Sequence, residues 1–247
     1  MKPKVAFFDF ASCEGCQLAV LELENELLDL LGLVEIVNFR EAMDDRREDY
    51  DIAFLEGISA ALRPDVPDVP DLENMELNGE IIFFPMSGSN LACWSSRLAP
   101  LNHREFHLCD RDFAPPAAAK YQAHVDAVNA RPSCRARSTS KKEMENYLHR
   151  DAIISAYQQN GINLPIVANF GPFDDVPQGV ARLVHEASGG GLSWDQLPDD
   201  KKEEKEKRAK RILCALATKQ MNLALLNEID PDGDLLAWFH DIRQLLT

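Results

Sequence analysis

Apolar and polar positions along this chain follow two periods, and the switch between them marks out the elements. Val5–Phe10 is a short apolar run of strand formers. After a small-residue loop, Leu18, Leu21, Leu23, Leu27, Leu28, Leu30 and Leu31 fall on one helical face. Glu22, Glu24, Glu26 and Asp29 lie mostly on the other, and Gly32 supplies a C-terminal stop. Val34–Phe39 predicts a second strand, Glu41–Arg47 a short polar helix or turn, and Ile52–Leu55 a third strand ending at Glu56-Gly57. Strands joined by helical crossovers must lie parallel, with right-handed connections.

From Ile58 to Ser140 the period weakens and the chain is only loosely determined. Pro64, Pro67 and Pro70 punctuate an acidic stretch that predicts a loop. Glu80–Phe84 predicts a fourth strand, followed by the small residues of Pro85–Asn90. A helix is expected over Ala117–Val128, before a basic run from Arg131 to Ser140. The pattern then sharpens. Lys141–Gln159 predicts an amphipathic helix capped by Ser140, Leu164–Phe170 a fifth strand, and Val176–Ala187 a helix stopped at Gly189. The charged stretch Asp195–Lys210 leads into an apolar helix, Ile212–Leu226, and a last helix covers Leu235–Leu246. The expected class is α/β: a sheet-bearing domain over residues 1–170 and a helical C-terminal region over 171–247.

Composition narrows the function classes. A formal net charge of −15 over 247 residues leaves no basic excess to neutralise phosphates, so nucleic acid is not an expected partner. The same charge disfavours anionic membranes, and no apolar run approaches the ~20 residues that span a bilayer. The first residues make a poor signal peptide, and the expected compartment is the cytoplasm. Six cysteines, at 13, 16, 93, 109, 134 and 214, are too few for a disulfide framework in a chain of this size.

The sharpest chemical signal is Cys13-Glu-Gly-Cys16, between the first strand and the first helix. Thiolates there lie at the carboxyl edge of a parallel sheet and beside a helix N-terminus, where backbone N–H groups favour negative charge. Glu56-Gly57 falls on the same predicted edge. Spacing leaves two chemistries open: ligation of an iron–sulfur cluster together with other thiolates, and the dithiol of a thioredoxin-like oxidoreductase. A third reading is an interaction module that kept the fold and lost its cofactor.

Residues 5–57 resemble the small subunit of [NiFe] hydrogenases. The likeness rests on Phe-Phe-Asp-Phe-Ala-Ser-Cys13-Glu-Gly-Cys16-Gln-Leu, the Leu/Glu-rich helix, Val-Glu-Ile-Val-Asn-Phe39 and Phe-Leu-Glu56-Gly57. It is nearest the cytoplasmic F420-reducing gamma and sulfhydrogenase delta branch, which is related to the 20 kDa subunit of respiratory complex I. The resemblance implies a flavodoxin-like parallel sheet with helices on both faces. It also implies a proximal [4Fe–4S] cluster held in part by Cys13 and Cys16, and a partner large subunit bearing the nickel–iron site. Further electron-transfer subunits and a proton-relaying Glu56 are weaker implications. Cys93, after the fourth strand, and Cys134, before a Lys/Glu-rich stretch, take the positions of the third and fourth ligands. Neither keeps the family's surrounding motif, and at most one cluster is implied.

Three other patterns have plain readings. His103-x-x-x-His107-x-Cys109 has zinc-like spacing but no supporting CxxC. Asp230-x-Asp232-x-Asp234 opens like a calcium loop, yet Leu235 and Asp241 stand where Gly and Glu are required, so a helix cap is expected. Cys214, flanked by Ile212, Leu213 and Leu216, is expected in the core.

Overall fold

The computed structural model describes residues 4–7, 35–39, 50–84, 91–189 and 191–246; the side chains of 4–7, 35–39, 92–94 and 98 lie outside that description. The helix expected over Leu18–Leu31, the turn over Glu41–Arg47 and the loop Pro85–Asn90 therefore fall outside the described residues. The chain divides into two compact units, Met1–Asp49 and Tyr50–Thr247.

In the first unit, β1 (Lys4–Phe7) and β2 (Glu35–Phe39) pair in parallel, with Lys4 opposite Glu35 and Phe7 opposite Phe39. The register shifts between Val5 and Ala6. Both strands fall where the apolar runs predict them, and their parallel sense matches the expectation of a crossover.

The second unit is mainly helical. Helix α1 spans Tyr50–Leu62 and α2 spans Leu72–Leu77, the latter capped by Asp71 Oδ1 accepting from the Asn74 N–H. Helix α3 is Leu91–Leu98. Next come β3 (Glu105–Cys109), α4 (Gln122–Asn129) and β4 (Cys134–Ser138). Strands β3 and β4 are parallel, Glu105 opposite Cys134 and Cys109 opposite Ser138, with α4 packed on both. The stretch whose period was weakest thus forms a β-α-β unit. Then follow α5 (Arg150–Gln159), α6 (Val176–Ala187), α7 (Asp199–Ile212), α8 (Leu223–Ile229) and α9 (Asp234–Leu246). The architecture of the described residues is α/β, with two two-stranded parallel sheets.

The core of this unit joins elements distant in sequence: Phe54, Ile58 and Leu62 of α1, Tyr157 of α5, Val180 of α6 and Trp238 of α9 are all buried in it. It runs across residue 170. Tyr147 and Trp238 meet edge to face, ring centroids 4.9 Å apart. A smaller cluster, Leu91, Cys109, Val125, Val128, Cys134 and Ala136, fills the space beneath α4.

Several expected elements are corrected. The third strand, Ile52–Leu55, is part of α1. Phe54, Ile58 and Leu62 recur every four residues, and that longer register outweighs the short apolar run. Glu80–Phe84 belongs to no strand of the described sheets. The Glu80 N–H instead bonds back to the Met75 carbonyl at the end of α2, and Ile82 is 83% exposed. Leu164–Phe170 is likewise no strand: Asn169 Oδ1 accepts from the Arg150 N–H at the start of α5. The helix expected over Lys141–Gln159 breaks into a 3-10 turn, Met144–Tyr147, and α5. His149, in an extended conformation, caps α5 in place of Ser140, whose N–H faces Tyr147 Oη and Asp234 Oδ2. The apolar stretch after α7 is not one helix. It passes through a π turn, Leu213–Ala217, and a 3-10 turn before α8.

Candidate functional site

The sequence-predicted site residues separate into different environments. Cys13 and Cys16 lie outside the described residues, within the connection from β1 to β2. Cys93 lies on α3, where its side chain is not described. Cys134 opens β4, 1% exposed, with its thiol donating to the His103 carbonyl over 3.8 Å. Glu56 sits half-buried in the middle of α1, so its expected position at a strand's carboxyl end is corrected. Cys214 is in the core as expected: it lies in the π turn, and its thiol donates to Glu145 Oε1 over 3.5 Å. Burial and the Glu145 charge push the Cys214 thiol well above its usual range, and burial and Asp110 push Cys109 up to about 11. Both are poor nucleophiles and poor metal ligands in this state.

No three His, Cys, Asp or Glu side chains among the described residues form a group that could hold a metal ion. The described thiols therefore do not fit a [4Fe–4S] cluster by themselves, and the zinc-like spacing of His103, His107 and Cys109 builds no zinc site. Alternation along β3 puts Glu105, His107 and Cys109 on the face covered by α4, and the histidine is used otherwise.

His107 Nε2 meets Glu105 Oε2 at 2.8 Å, and His107 Nδ1 meets His124 Nε2, from the first turn of α4, at 3.2 Å. Arg131, just beyond α4, donates to both Glu105 oxygens, at 2.6 and 2.9 Å. Burial pushes the Glu105 carboxyl upward, but bonds from Arg131 and His107 outweigh it and leave the pKa below the ordinary range. Burial above all lowers that of His124. The result is a chain of four polar side chains leading from a clamped carboxylate to a half-buried imidazole that is neutral at pH 7.

A second polar group surrounds Glu145, which is 2% exposed in the 3-10 turn. Lys210 of α7 lies 3.1 Å from Glu145 Oε1 and 3.9 Å from Asp51 of α1. Asp110, following β3, and Glu143 each present a buried oxygen without a hydrogen bond. Glu143 Oε1 does face Lys142 Nζ at 3.7 Å, and Lys142 also holds Asp175 at 2.6 Å. Burial, then Glu145 and Asp51, push Asp110 up to about 8; burial, then Glu145, push Glu143 up to about 7. Carboxyls in such surroundings keep protons at neutral pH and can donate them.

The Asp-x-Asp-x-Asp segment behaves as the expected cap. Asp230 Oδ2 accepts from the Leu235 N–H at 2.9 Å and Oδ1 from the Asp234 N–H at 3.2 Å, at the start of α9. Sequence reasoning missed Glu105, His124, Arg131, Asp110, Glu143, Glu145 and Lys210. The Glu105/His107/Cys109 alternation carried the signal of a strand with a polar face, but nothing local linked it to His124. No family model matches the chain, nor does any curated protein or solved structure.

Proposed function

We propose that this chain is the electron-transfer subunit of a hydrogenase-type oxidoreductase, working beside a large subunit that carries the substrate site. The supporting observation is the parallel pairing of β1 with β2. Parallel neighbours need a crossover connection, and in the sequence that connection contains Cys13 and Cys16. Ligands of open α/β sheets bind at the carboxyl ends of parallel strands, the end from which this connection departs. On this reading the sheet is the start of a flavodoxin-like domain. Cys13 and Cys16 then hold one edge of an iron–sulfur cluster, and its remaining ligands come from outside the described thiols. The chain makes and breaks no substrate bonds at this site.

Anaerobic purification with iron and sulfide analysis tests the reading. It expects a brown protein absorbing near 400 nm that loses its iron on Cys13→Ser. A colourless protein with a reducible Cys13–Cys16 disulfide would assign the pair to thiol–disulfide exchange instead. A colourless, redox-inert protein would leave an interaction module.

A further inference from the structure

The bonding along Glu105, His107 and His124 gives each proton a place once His107 carries a single one. An ionised carboxylate only accepts, so the 2.8 Å contact to Glu105 is a donation from His107 Nε2. A His107 ring carrying one proton has its lone pair on Nδ1, and the 3.2 Å contact is then a donation from His124 Nε2. His124 is left with its lone pair on Nδ1, on a half-buried ring in the first turn of α4. Arg131 holds Glu105 through both oxygens, so the far end of the chain is rigid. This is the arrangement by which a carboxylate orients one imidazole and stabilises its cation, extended by one further imidazole.

We propose that His124 is a nucleophilic imidazole that reacts through Nδ1 with acyl and carbonate esters, with His107 and Glu105 as positioning residues that take up its proton. In the first step Nδ1 bonds to the carbonyl carbon and the leaving oxygen departs with the electron pair of its bond. The Nε2 proton of His124 passes to His107 Nδ1. The product is a neutral acyl-imidazole beside a His107 cation still bonded to the Glu105 carboxylate. Water then attacks the acyl carbon and the C–N electron pair returns to Nδ1. The proton on His107 returns to His124 Nε2, one proton goes to solvent, and the carboxylic acid leaves. No redox partner is needed. The activity is independent of Cys13 and Cys16.

His103 and His240 are exposed and serve as internal comparators. The full chain is treated with diethyl pyrocarbonate at pH 7, and carbethoxylation of each histidine is followed by peptide mass spectrometry. Although less exposed, His124 should react about tenfold faster than His103 and His240, below the ~10²–10⁴-fold that positioned proton transfer can supply. Glu105→Gln should bring it down to their rate. Release of p-nitrophenol from p-nitrophenyl acetate should fall in His124→Ala to the level that exposed imidazoles such as His103 and His240 sustain. Equal or slower labelling of His124, or a rate unchanged by Glu105→Gln, overturns the proposal. Should Glu105→Gln fail to fold, nitrogen-15 spectra of the unmutated chain decide the matter: an Nε2–H, bare-Nδ1 form of His124 is required, and an Nδ1–H form refutes it.

Discussion

Replacing Asp110 by Asn should change how stability depends on pH more than it changes stability itself. The carboxyl follows β3 with Oδ1 buried and without a hydrogen bond, and Lys210, whose charge acts to lower its pKa, is already engaged by Glu145 and Asp51. Burial and three neighbouring carboxylates raise its pKa from 3.8 to about 8. Between those values the folded chain holds a proton that the unfolded chain has released. The unfolded state then binds fewer protons, and stability falls as pH rises. The contribution is fully present below about pH 4 and is lost as pH rises through about 8. One proton corresponds to a slope of about −1.4 kcal/mol per pH unit. Asp110 keeps part of its surface in water, so about half of the full amount, ~1.5 kcal/mol between pH 5 and 7, is expected. Asn cannot ionise, and Glu143 titrates in both proteins and drops out of the comparison to first order. Urea unfolding of both chains at pH 5, 6, 7 and 8 reads the difference. The variant should gain on the unmutated protein steadily as pH rises. Parallel curves between pH 5 and 7 would show that Asp110 is ionised throughout and that the cluster around Glu145 is open to solvent.

Two further substitutions probe the frame that holds these groups. A Cβ on Gly57 would overlap Thr218 Oγ1 and stand 2.8 Å from Thr218 Cβ, and the Thr218 hydroxyl is tied to the Cys214 carbonyl at 2.7 Å across the π turn. Gly57→Ala should therefore lower the melting temperature, overpacking costing about 1–3 kcal/mol against a helix-propensity gain of about 1. A raised melting temperature would show that α1 and the π turn do not touch there. Asp230→Ala removes the acceptor for two N–H groups at the start of α9 and should cost about 1–2 kcal/mol in chemical denaturation, with Asp230→Asn costing less. Equal losses in the two variants would refute capping as the role of Asp230.

Where an element is set by its own side chains, the sequence was sufficient. Helix α6 carries an acidic cap at Asp175, Pro177 in its first turn and Gly189 beyond its end, and the structure places it over the predicted residues. Helix α9 begins one residue before the expected Leu235, and Asp230 caps it as the acidic pattern requires. Strands β1 and β2 lie in their apolar runs because the connection between them is long enough for a parallel crossover. Ile52–Leu55, Glu80–Phe84 and Leu164–Phe170 have the same local character and are not strands. A strand exists only when another backbone completes its hydrogen bonds, and no residue within it says whether one will arrive. The converse holds at Cys134–Ser138, where a basic run becomes β4 because β3 lies beside it. The candidate sites follow the same division. Cys13 and Cys16 stand out as a thiol pair by spacing alone, which leaves two chemistries open. The His124–His107–Glu105–Arg131 chain and the carboxylates around Glu145 are contacts among β3, α1, α4, α7 and the 3-10 turn at Met144. Their protonation depends on burial and neighbouring charge, quantities that only the packed chain defines.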